Sequence, residues 1–373
     1  MAIPSFNLIL KISLVLIFIV WTRRIFWVRH LGKTNPPLEP IRLVANGPQP
    51  KISVIIPAKD EEKNIANCLY NLFKQNYKNY EIIVVDDRSI DKTPHLLENF
   101  KKLSPVPFKI VRIEKLPPGW TGKNHAQFVG SRAAGGQWLL FTDADTTHKP
   151  ESLTTAVHTA LERQIDFLTL APETESRSFW EKTVQPLAAS SIALWFHHEG
   201  LANGQFILIK KEAYEKIGGN EAVKNEVVED VALAKLARKN GFNVRFLNGT
   251  KLYSTRMYTS LAQIRTGWTR ILTYLLNKSV FLICHKIFLF LFFSLLPFVV
   301  LLFAKDTQLF MLAFIVSSWI IMIRWVGNLM VKSNPWYAFL HPLGSMVMVW
   351  ILFACLGRVI FHRPSEWRGD LHR

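Results

Sequence analysis

The apolar residues of this chain are distributed unevenly, and this distribution limits the folds available to it. Residues 280–361 are largely apolar, whereas residues 51–246 alternate apolar and polar positions as water-soluble domains do. A helix that crosses a bilayer needs about 20 mainly apolar residues. The sequence therefore predicts a water-soluble body joined to a membrane region.

A first apolar segment, Ile3–Trp21, is followed by Arg23 and Arg24. A secretory signal peptide carries its charges before the apolar run and a small-residue cleavage site after it. Here the charges come mostly after the run, and no such site is present. Since basic residues flank membrane segments on the cytoplasmic side, we expect an uncleaved anchor at residues 1–27 with its N-terminus outside, followed by a proline-containing linker at residues 28–49.

The C-terminal membrane region, residues 280–373, contains three apolar segments at about Val280–Ala304, Thr307–Ile323 and Trp336–Phe361. The second segment is close to the lower limit of about 17 residues for a span. Three spans would also place the basic C-terminal tail outside, against the positive-inside tendency. We therefore expect one of the three segments to be re-entrant or interfacial, and the sequence leaves open which one.

The formal net charge of +17 is compatible with nucleic acid, an anionic membrane or a phosphate-bearing substrate as partner. No nucleic-acid-binding module is recognisable, so we expect a membrane partner and no nucleic acid. Cys68, Cys284 and Cys355 form no Cys-x-x-Cys pair, which argues against a disulfide framework or a structural zinc site. We expect a multi-pass protein of the cell (inner) membrane whose soluble body lies in the reducing cytoplasm.

The soluble body, residues 50–260, alternates strand and helix patterns. The predicted strands are 52–56, 81–85, 109–113 and 138–141, and the predicted helices are 61–75 and 92–102. Short apolar strands with intervening helices are typical of an α/β fold with a mainly parallel sheet that helices cover on both faces. Such sheets bind ligands at the carboxyl ends of their strands.

Acidic residues stand at two of these predicted strand ends. Asp86 and Asp87 close one strand, where adjacent carboxylates can accept hydrogen bonds from a base and a ribose or can cap the next turn. Asp143 and Asp145 follow another strand, and residues i and i+2 of an extended segment project to the same side. That pair can face one hard divalent cation, Mg²⁺ or Mn²⁺, which prefers oxygen ligands and acts as a Lewis acid on a departing diphosphate.

A third acidic pair, Glu229 and Asp230, opens a predicted helix. Carboxylates in the first turn of a helix commonly interact with the helix dipole, and this is one interpretation of the pair. The other interpretation gives Asp230 the role of a general base that removes the proton of an acceptor hydroxyl.

These three sites, in this order over residues 51–268, resemble those of the family 2 glycosyltransferases with the GT-A fold. The resemblance implies inverting transfer of a hexose from a nucleotide-sugar, with Asp230 as catalytic base. It implies that the donor contacts Pro57, Ala58, Glu61, Asp86, Asp87, Lys123 and Asp143. It implies that Asp143 and Asp145 hold the metal, and that the acceptor side includes Asn203, Gly204, Glu229 and Trp268.

A narrower resemblance rests on residues 116–126, 202–206, 256–268 and 366–369. These stretches are similar to those of the membrane glucosyltransferases of carotenoid and hopanoid pathways. The similarity implies transfer of glucose from UDP-glucose to a carotenoid-like polyisoprenoid, with Arg368 as a tail cation for the diphosphate. Alternatives are a hopanoid, sphingoid, diacylglycerol or polyprenyl-phosphate acceptor, or a catalytically silent GT-A membrane protein that binds a nucleotide or a partner.

Residues 261–279 predict an amphipathic helix, with Ile264 and Trp268 on its apolar face and Arg265 and Arg270 on its polar face. A core helix would show the same pattern. The position of the helix directly before the apolar block favours an interfacial helix beside the acceptor entrance.

Overall fold

The structure is a computed structural model that describes residues 3–42, 48–196, 202–367 and 370–372, without the side chains of residues 3–5, 31 and 365–372. The chain begins with helix α1 (Ile3–Thr34). An α/β domain and a group of apolar helices follow it.

Ten strands are described in the α/β domain. They are β1 (Ile52–Ala58), β2 (Tyr80–Asp87), β3 (Phe108–Ile113), β4 (Trp138–Phe141), β5 (Thr146–His148), β6 (Phe167–Ala171), β7 (Glu173–Thr174), β8 (Ile207–Lys210), β9 (Val244–Asn248) and β10 (Tyr253–Thr255). The helices of this domain are α2 (Ile65–Phe73), α3 (Thr93–Leu103), α4 (Gly122–Ala133), α5 (Ser152–Glu162), α6 (Phe179–Phe196), α7 (Lys211–Lys216), α8 (Gly219–Ala222) and α9 (Glu229–Lys239).

Seven of the described strands form the central sheet, in the order β3-β2-β1-β4-β8-β6-β9, and β5, β10 and β7 form a smaller sheet. In the central sheet β8 is antiparallel to β4 and β6, and the other pairings are parallel. Both faces are buried because successive side chains alternate between two cores. Ile82 and Val84 belong to one core, and Ile83 and Val85 to the other. The predicted mainly parallel α/β fold is confirmed.

The apolar helices are α10 (Leu261–Leu275), α11 (Val280–Phe290), α12 (Leu296–Phe303), α13 (Thr307–Met330) and α14 (His341–Ile360). A π-helical turn, Leu291–Leu295, joins α11 to α12, and a 3₁₀ turn, Pro335–Leu340, precedes α14. A short hairpin of β11 (Ser365–Trp367) and β12 (Asp370–His372) comes last.

Within the described residues, three helical segments are long and apolar enough to cross a membrane: Val280–Phe303, Thr307–Met330 and Pro335–Ile360. The second was expected to end at residue 323, and this boundary was wrong. The helix continues through Arg324 for a total of 24 residues, because Arg and Met favour helix and no proline follows before Pro335. All three segments therefore have the length of a span.

Helix α1 extends to Thr34, beyond the end that was predicted at residue 27. The basic residues of this stretch are compatible with helix, and the helix ends just before Pro36 and Pro37, which cannot continue it. The segment after it packs on the α/β domain, since the Leu38 N–H donates to the Asn248 carbonyl at 2.9 Å. Residues 43–47 of the expected linker lie outside the described residues.

Helices α1 and α13 run side by side in the same direction. Lys11 forms an ion pair with Asp306 at 3.3 Å, and Trp319 Nε1 donates to Thr22 Oγ1 at 3.0 Å. Trp21 Nε1 donates to the carbonyl of Phe293 at 2.7 Å, within the π-helical turn, where the regular helical hydrogen bonding is altered.

Helix α6 joins the α/β domain to the apolar helices. Its Val184 and Leu187 pack with Trp268 of α10, Ile287 of α11 and Met348 of α14 in one core. The predicted amphipathic helix is present as α10, with Trp268 buried. Its apolar face thus packs on other helices of this chain, as in the core-helix interpretation.

Candidate active site

The carboxyl ends of β1, β2 and β4 meet at one edge of the sheet, because these strands are parallel neighbours. Ala58, which ends β1, lies opposite Asp86 near the end of β2. Asp143 and Asp145 follow β4 directly. The edge therefore brings two of the three predicted acidic sites together.

The Asp86–Asp87 pair is buried and already hydrogen-bonded. Asp86 accepts from the Ser89 N–H at 3.1 Å and from Arg112 Nε at 3.0 Å, and Asp87 accepts from Arg88 Nε at 2.8 Å. Neither arginine was recognisable from the sequence as a partner of this pair. Arg88 has a positive φ of 59°, a conformation that the chain adopts in the tight turn after the strand.

Pro57 and Ala58 end β1, and the loop that follows, which includes Glu61, is tied to the loop after β2. The Asp60 N–H donates to Ser89 Oγ at 3.0 Å, and the Glu61 N–H donates to Thr93 Oγ1 at 2.8 Å. The Glu61 carboxylate accepts from Asn64 Nδ2 at 2.8 Å. The two loops thus form one wall of the cleft.

The Cys68 thiol on α2 shows that this wall is close to the second acidic site. Burial raises the pKa of Cys68 to about 12, and the negative charges of Asp145, Glu61 and Asp143 also raise it. Its Sγ lies 3.7 Å from the Asp143 carbonyl oxygen. Glu61, Asp143 and Asp145 therefore lie around one point of the cleft.

A buried polar network below the second acidic site fixes its backbone. Thr146 Oγ1 donates to the Asp143 carbonyl at 2.7 Å, and Thr142 Oγ1 lies 2.9 Å from His148 Nε2. Burial lowers the pKa of His148 to about 3, so the imidazole is neutral near pH 7. Sequence reasoning missed this network, for which the polar run Thr142–His148 after an apolar strand was the available signal.

Lys123, on α4, connects the second and third acidic sites. Its Nζ lies 2.8 Å from Asp143 Oδ1 and 3.0 Å from Glu229 Oε1. Burial acts to lower the pKa of Lys123, but the charges of Asp143 and Glu229 outweigh burial and hold the pKa above its usual range. The ammonium group is therefore a fixed positive charge between the two carboxylates.

Asp230 lies beside this ion pair, in the first turn of α9. Its Oδ2 accepts from the Gly204 N–H at 2.7 Å, and its Oδ1 accepts from the Val231 N–H at 2.8 Å. Burial, together with the charge of Glu229, raises the pKa of Asp230 to about 7. A carboxylate oxygen has two lone pairs, so each oxygen can still accept a proton or a further hydrogen bond.

The four predicted acceptor-side residues are not all brought together. Gly204 and Glu229 contact Asp230 or Lys123, as described above. The Asn203 amide instead donates to the Leu170 carbonyl at 3.3 Å and to the Tyr253 hydroxyl at 3.2 Å, so it holds its own loop. Trp268 is buried, and its Nε1 donates to Gln185 Oε1 of α6 at 2.9 Å. The predicted tail cation, Arg368, lies outside the described residues.

Glu181 and Arg256 form an ion pair that the sequence analysis also missed. Arg256 Nε lies 3.1 Å from Glu181 Oε1, and Glu181 Oε2 also accepts from the N–H groups of Arg177 and Ser178. These contacts fix the start of α6 to the segment between β10 and α10.

In the described part of the chain, no group of three or more His, Cys, Asp and Glu side chains is placed to hold a metal ion alone. Asp143 and Asp145 supply two carboxylates at the edge of the cleft. This donor set suits Mg²⁺ or Mn²⁺ that shares its remaining positions with phosphate oxygens and water. The two residues therefore fit a metal that binds together with a diphosphate.

The domain has a mainly parallel sheet with paired carboxylates at its carboxyl edge, and a further carboxylate pair opens a following helix. This arrangement is that of a GT-A-type domain. Residues 53–227 match the family model described as "Glycosyl transferase family 2". The match agrees with the resemblance that the sequence predicted, and C-terminal apolar helices of membrane-span length follow the matched region.

Two known proteins are similar to this chain over longer regions. The 4,4'-diaponeurosporenoate glycosyltransferase of Staphylococcus aureus is 25% identical over 230 residues, which cover 59% of this chain and 60% of that protein. The match thus spans less than two thirds of that relative. The structure of the mannosyltransferase PcManGT from Pyrobaculum calidifontis, in complex with GDP-Man and Mn²⁺, has a TM-score of 0.56 at 17% identity and covers 95% of this chain and 98% of that chain. It has the same fold.

Proposed function

We propose that this protein is an inverting glycosyltransferase that moves a hexose from a nucleotide-sugar to a lipid acceptor in the membrane. The observation that carries the proposal is the row of charged groups from Asp143 through Lys123 to Glu229 and Asp230. This row joins a site suited to a metal and diphosphate directly to a carboxylate that can act as a base.

The donor would lie across the edge of the sheet. Pro57, Ala58, Glu61, Asp86 and Asp87 line the end at which a base and ribose would bind. Asp143 and Asp145 would hold Mg²⁺ or Mn²⁺, which neutralises charge on the leaving diphosphate when it is bound. Lys123 adds a positive charge next to Asp143. For the donor itself we propose UDP-glucose, by resemblance to the membrane glucosyltransferases.

Asp230 would accept the proton of the acceptor hydroxyl as its oxygen attacks the anomeric carbon opposite the diphosphate. An α-linked donor then gives a β-glycoside. A base works best when its pKa is close to the working pH, and the pKa of Asp230 is raised to about 7. The Gly204 N–H fixes the carboxylate, so that its direction toward the acceptor is set before the substrate binds.

A lipid acceptor is supported by the position of α6, which packs on the apolar helices and precedes Gly204, the residue that binds Asp230. Helix α6 packs with α10, α11 and α14, and the chain reaches Gly204 eight residues after α6 ends at Phe196. The Staphylococcus aureus relative is named for 4,4'-diaponeurosporenoate. We propose a carotenoid-like polyisoprenoid as acceptor for this chain, and a hydroxyl as the reacting group, because a carboxylate would need no base.

The acceptor can be identified by transfer from UDP-[¹⁴C]glucose in nanodiscs that contain polyisoprenoid alcohols, polyisoprenoid carboxylic acids, hopanoids or diacylglycerol. We expect labelled product with the polyisoprenoid alcohol, and this product should resist mild alkali, which cleaves glycosyl esters. A product that mild alkali cleaves would contradict the hydroxyl assignment. No transfer with any donor and acceptor, although the nucleotide-sugar binds, would indicate a silent binding protein.

We also propose that the α/β domain faces the cytoplasm of a multi-pass inner-membrane protein. Lys101 is exposed near the end of α3, and Cys284 is an exposed free cysteine. A Lys101→Cys variant in a Cys284→Ser background should resist membrane-impermeant thiol reagents in intact cells and react after lysis. Ready labelling in intact cells would contradict this orientation.

A further inference from the structure

Three basic side chains come together where α1, α13 and α14 meet, away from the cleft; we call Arg24, Arg324 and His341 the basic cluster. The Arg24 guanidinium lies over the Trp21 ring, 4.5 Å from its centroid. The Trp21 ring contacts the His341 ring edge to face, with centroids 5.4 Å apart. The charges of Arg324 and Arg24 both act on the His341 imidazole, which places the three groups around one point.

The basic cluster has no carboxylate partner among the described residues. Helices α1, α13 and α14 contain no Asp or Glu. Arg324 Nη1 donates to Ser190 Oγ of α6 at 3.2 Å, and the one acid in α6, Glu181, already pairs with Arg256. The cluster thus holds two permanent positive charges that no acidic side chain in these four helices balances.

His341 supplies a second, independent sign of a missing partner. It is 3% exposed, its Nε2 lies 3.4 Å from Ser345 Oγ, and its Nδ1 has no hydrogen-bond partner in the described structure. A buried polar atom without a partner costs about 1–3 kcal/mol, and charged groups among membrane helices are normally paired. An anion bound at the cluster would balance the arginine charges and would give His341 Nδ1–H a hydrogen-bond acceptor.

The depth of the cluster corresponds to lipid head groups on the side of the α/β domain. Arg324 lies about 9 Å along α13 from Met330, at a rise of 1.5 Å per residue. Directly after the helix, Lys332 pairs with Glu173 of the α/β domain at 3.0 Å. Trp325 also packs against Trp336 with ring centroids 4.8 Å apart, and tryptophans are enriched at membrane–water interfaces.

We propose that the basic cluster binds the phosphate head group of an anionic membrane lipid from the leaflet on the side of the α/β domain. Phosphate oxygens match the planar fork of a guanidinium, and both arginines can donate to one phosphate. His341 donates in the tautomer that carries Nδ1–H. Exposed apolar side chains on α13, Met322, Val326 and Leu329, give the acyl chains a surface. The proposal does not depend on which sugar or acceptor the cleft uses.

The test measures lipid binding by the purified full-length protein in detergent. Native mass spectrometry and the thermal unfolding midpoint are followed as phosphatidylglycerol is added, with phosphatidylcholine as the neutral comparison. We expect a bound phosphatidylglycerol and a rise in the midpoint for the wild type. Arg324→Gln should weaken this binding at least tenfold, whereas Arg324→Lys, which keeps the charge, should lose less.

The matched control is Arg29→Gln, which removes the same charge from an exposed position of α1 outside the cluster, and it should bind like the wild type. Equal losses in Arg29→Gln and Arg324→Gln would show diffuse attraction and overturn the proposal. The same stabilisation by inorganic phosphate alone would reject a lipid as the ligand. If Arg324→Gln does not fold, Arg24→Gln gives the same comparison, and unchanged lipid binding in either variant contradicts the site.

Discussion

The cleft and the basic cluster differ in the partners that they give to positively charged side chains. In the cleft, Lys123 lies within 3.0 Å of carboxylate oxygens of both Asp143 and Glu229. In the basic cluster, Arg24 and Arg324 contact an aromatic ring and a hydroxyl, respectively. A charge that the protein balances itself stays in place without a ligand, whereas a charge left unbalanced needs an ion from outside. The contrast therefore separates a preorganised reaction site from a site that is completed by binding.

The largest expected effect concerns the base. Asp230→Asn preserves the size of the side chain and one of its two acceptor oxygens but removes basicity, so kcat should fall by about 10²–10⁴-fold. Donor binding, measured by calorimetry with UDP-glucose, should change little. Glu226→Gln, at an exposed position four residues earlier, is the control and should keep full activity. Near-normal turnover in Asp230→Asn would remove Asp230 from the mechanism and point to a carboxylate acceptor.

The next effect concerns the metal. Asp145→Ala should lower the transfer rate by more than about 100-fold, because one of two carboxylate ligands is lost, while the circular dichroism spectrum stays that of the wild type. EDTA should abolish wild-type activity, and Mn²⁺ or Mg²⁺ should restore it. Glu221→Ala, at an exposed position in α8, should behave as the wild type. Full activity in excess EDTA would show that Lys123 alone suffices to balance the diphosphate.

A moderate effect concerns pH. With the pKa of Asp230 at about 7, kcat/KM should fall about tenfold for each pH unit below 7, since only the ionised carboxylate accepts a proton.

The same pKa has a consequence for stability. The folded-state pKa of Asp230 lies above its value in the unfolded chain, so its stabilising contribution is present at low pH and is lost as the pH rises through about 7. The thermal unfolding midpoint of Asp230→Asn, measured relative to that of the wild type, should therefore rise between pH 5 and pH 8. A midpoint difference that does not change with pH would mean that Asp230 titrates at its ordinary value.

The smallest effect tests the packing of α10 against the segment that precedes it. A Cβ at Gly267 of α10 would lie 2.1 Å from Cζ of Tyr258, so Gly267→Ala should destabilise the protein by about 1–3 kcal/mol through overpacking. Gly357→Ala is the control, because a Cβ there meets nothing within 4 Å. The measurement is the thermal midpoint of both variants. Equal midpoints would mean that Tyr258 moves freely and does not restrain α10.

Local patterns predicted much of the fold and the positions of the acidic groups. The predicted strand at residues 138–141 and the predicted helix start at Leu261 agree with the structure. Both predictions depend only on patterns among residues that are neighbours in the sequence. The third acidic pair indeed lies in the first turn of its helix, as the helix-dipole interpretation expects, and Asp230 also lies near Lys123. The role of Asp230 as a base stays a proposal.

Contacts between distant residues were not predictable in the same way. The resemblance placed Lys123 at the donor, but its two partners come from separate loops that only the folded sheet brings together. The acceptor-side role of Asn203 stays a prediction, and the hydrogen bond from its amide to the Leu170 carbonyl of β6 joins residues 33 positions apart. The apolar segment that was read to residue 323 continues as helix to Met330. The Arg324 guanidinium is held there by Ser190 of α6, to which its Nη1 donates.

The parallel packing of α1 and α13 has a consequence for how the protein is made. Thr22 and Trp319, which hydrogen-bond across these helices, are 297 residues apart in the chain. At about 5–20 residues per second, the ribosome adds the second of these residues roughly 15–60 seconds after the first. For most of that interval α1 has none of its α13 contacts, and Trp21 has no Phe293 carbonyl to bind. The N-terminal helix is therefore made long before its partner, and a chaperone can act on it throughout that time.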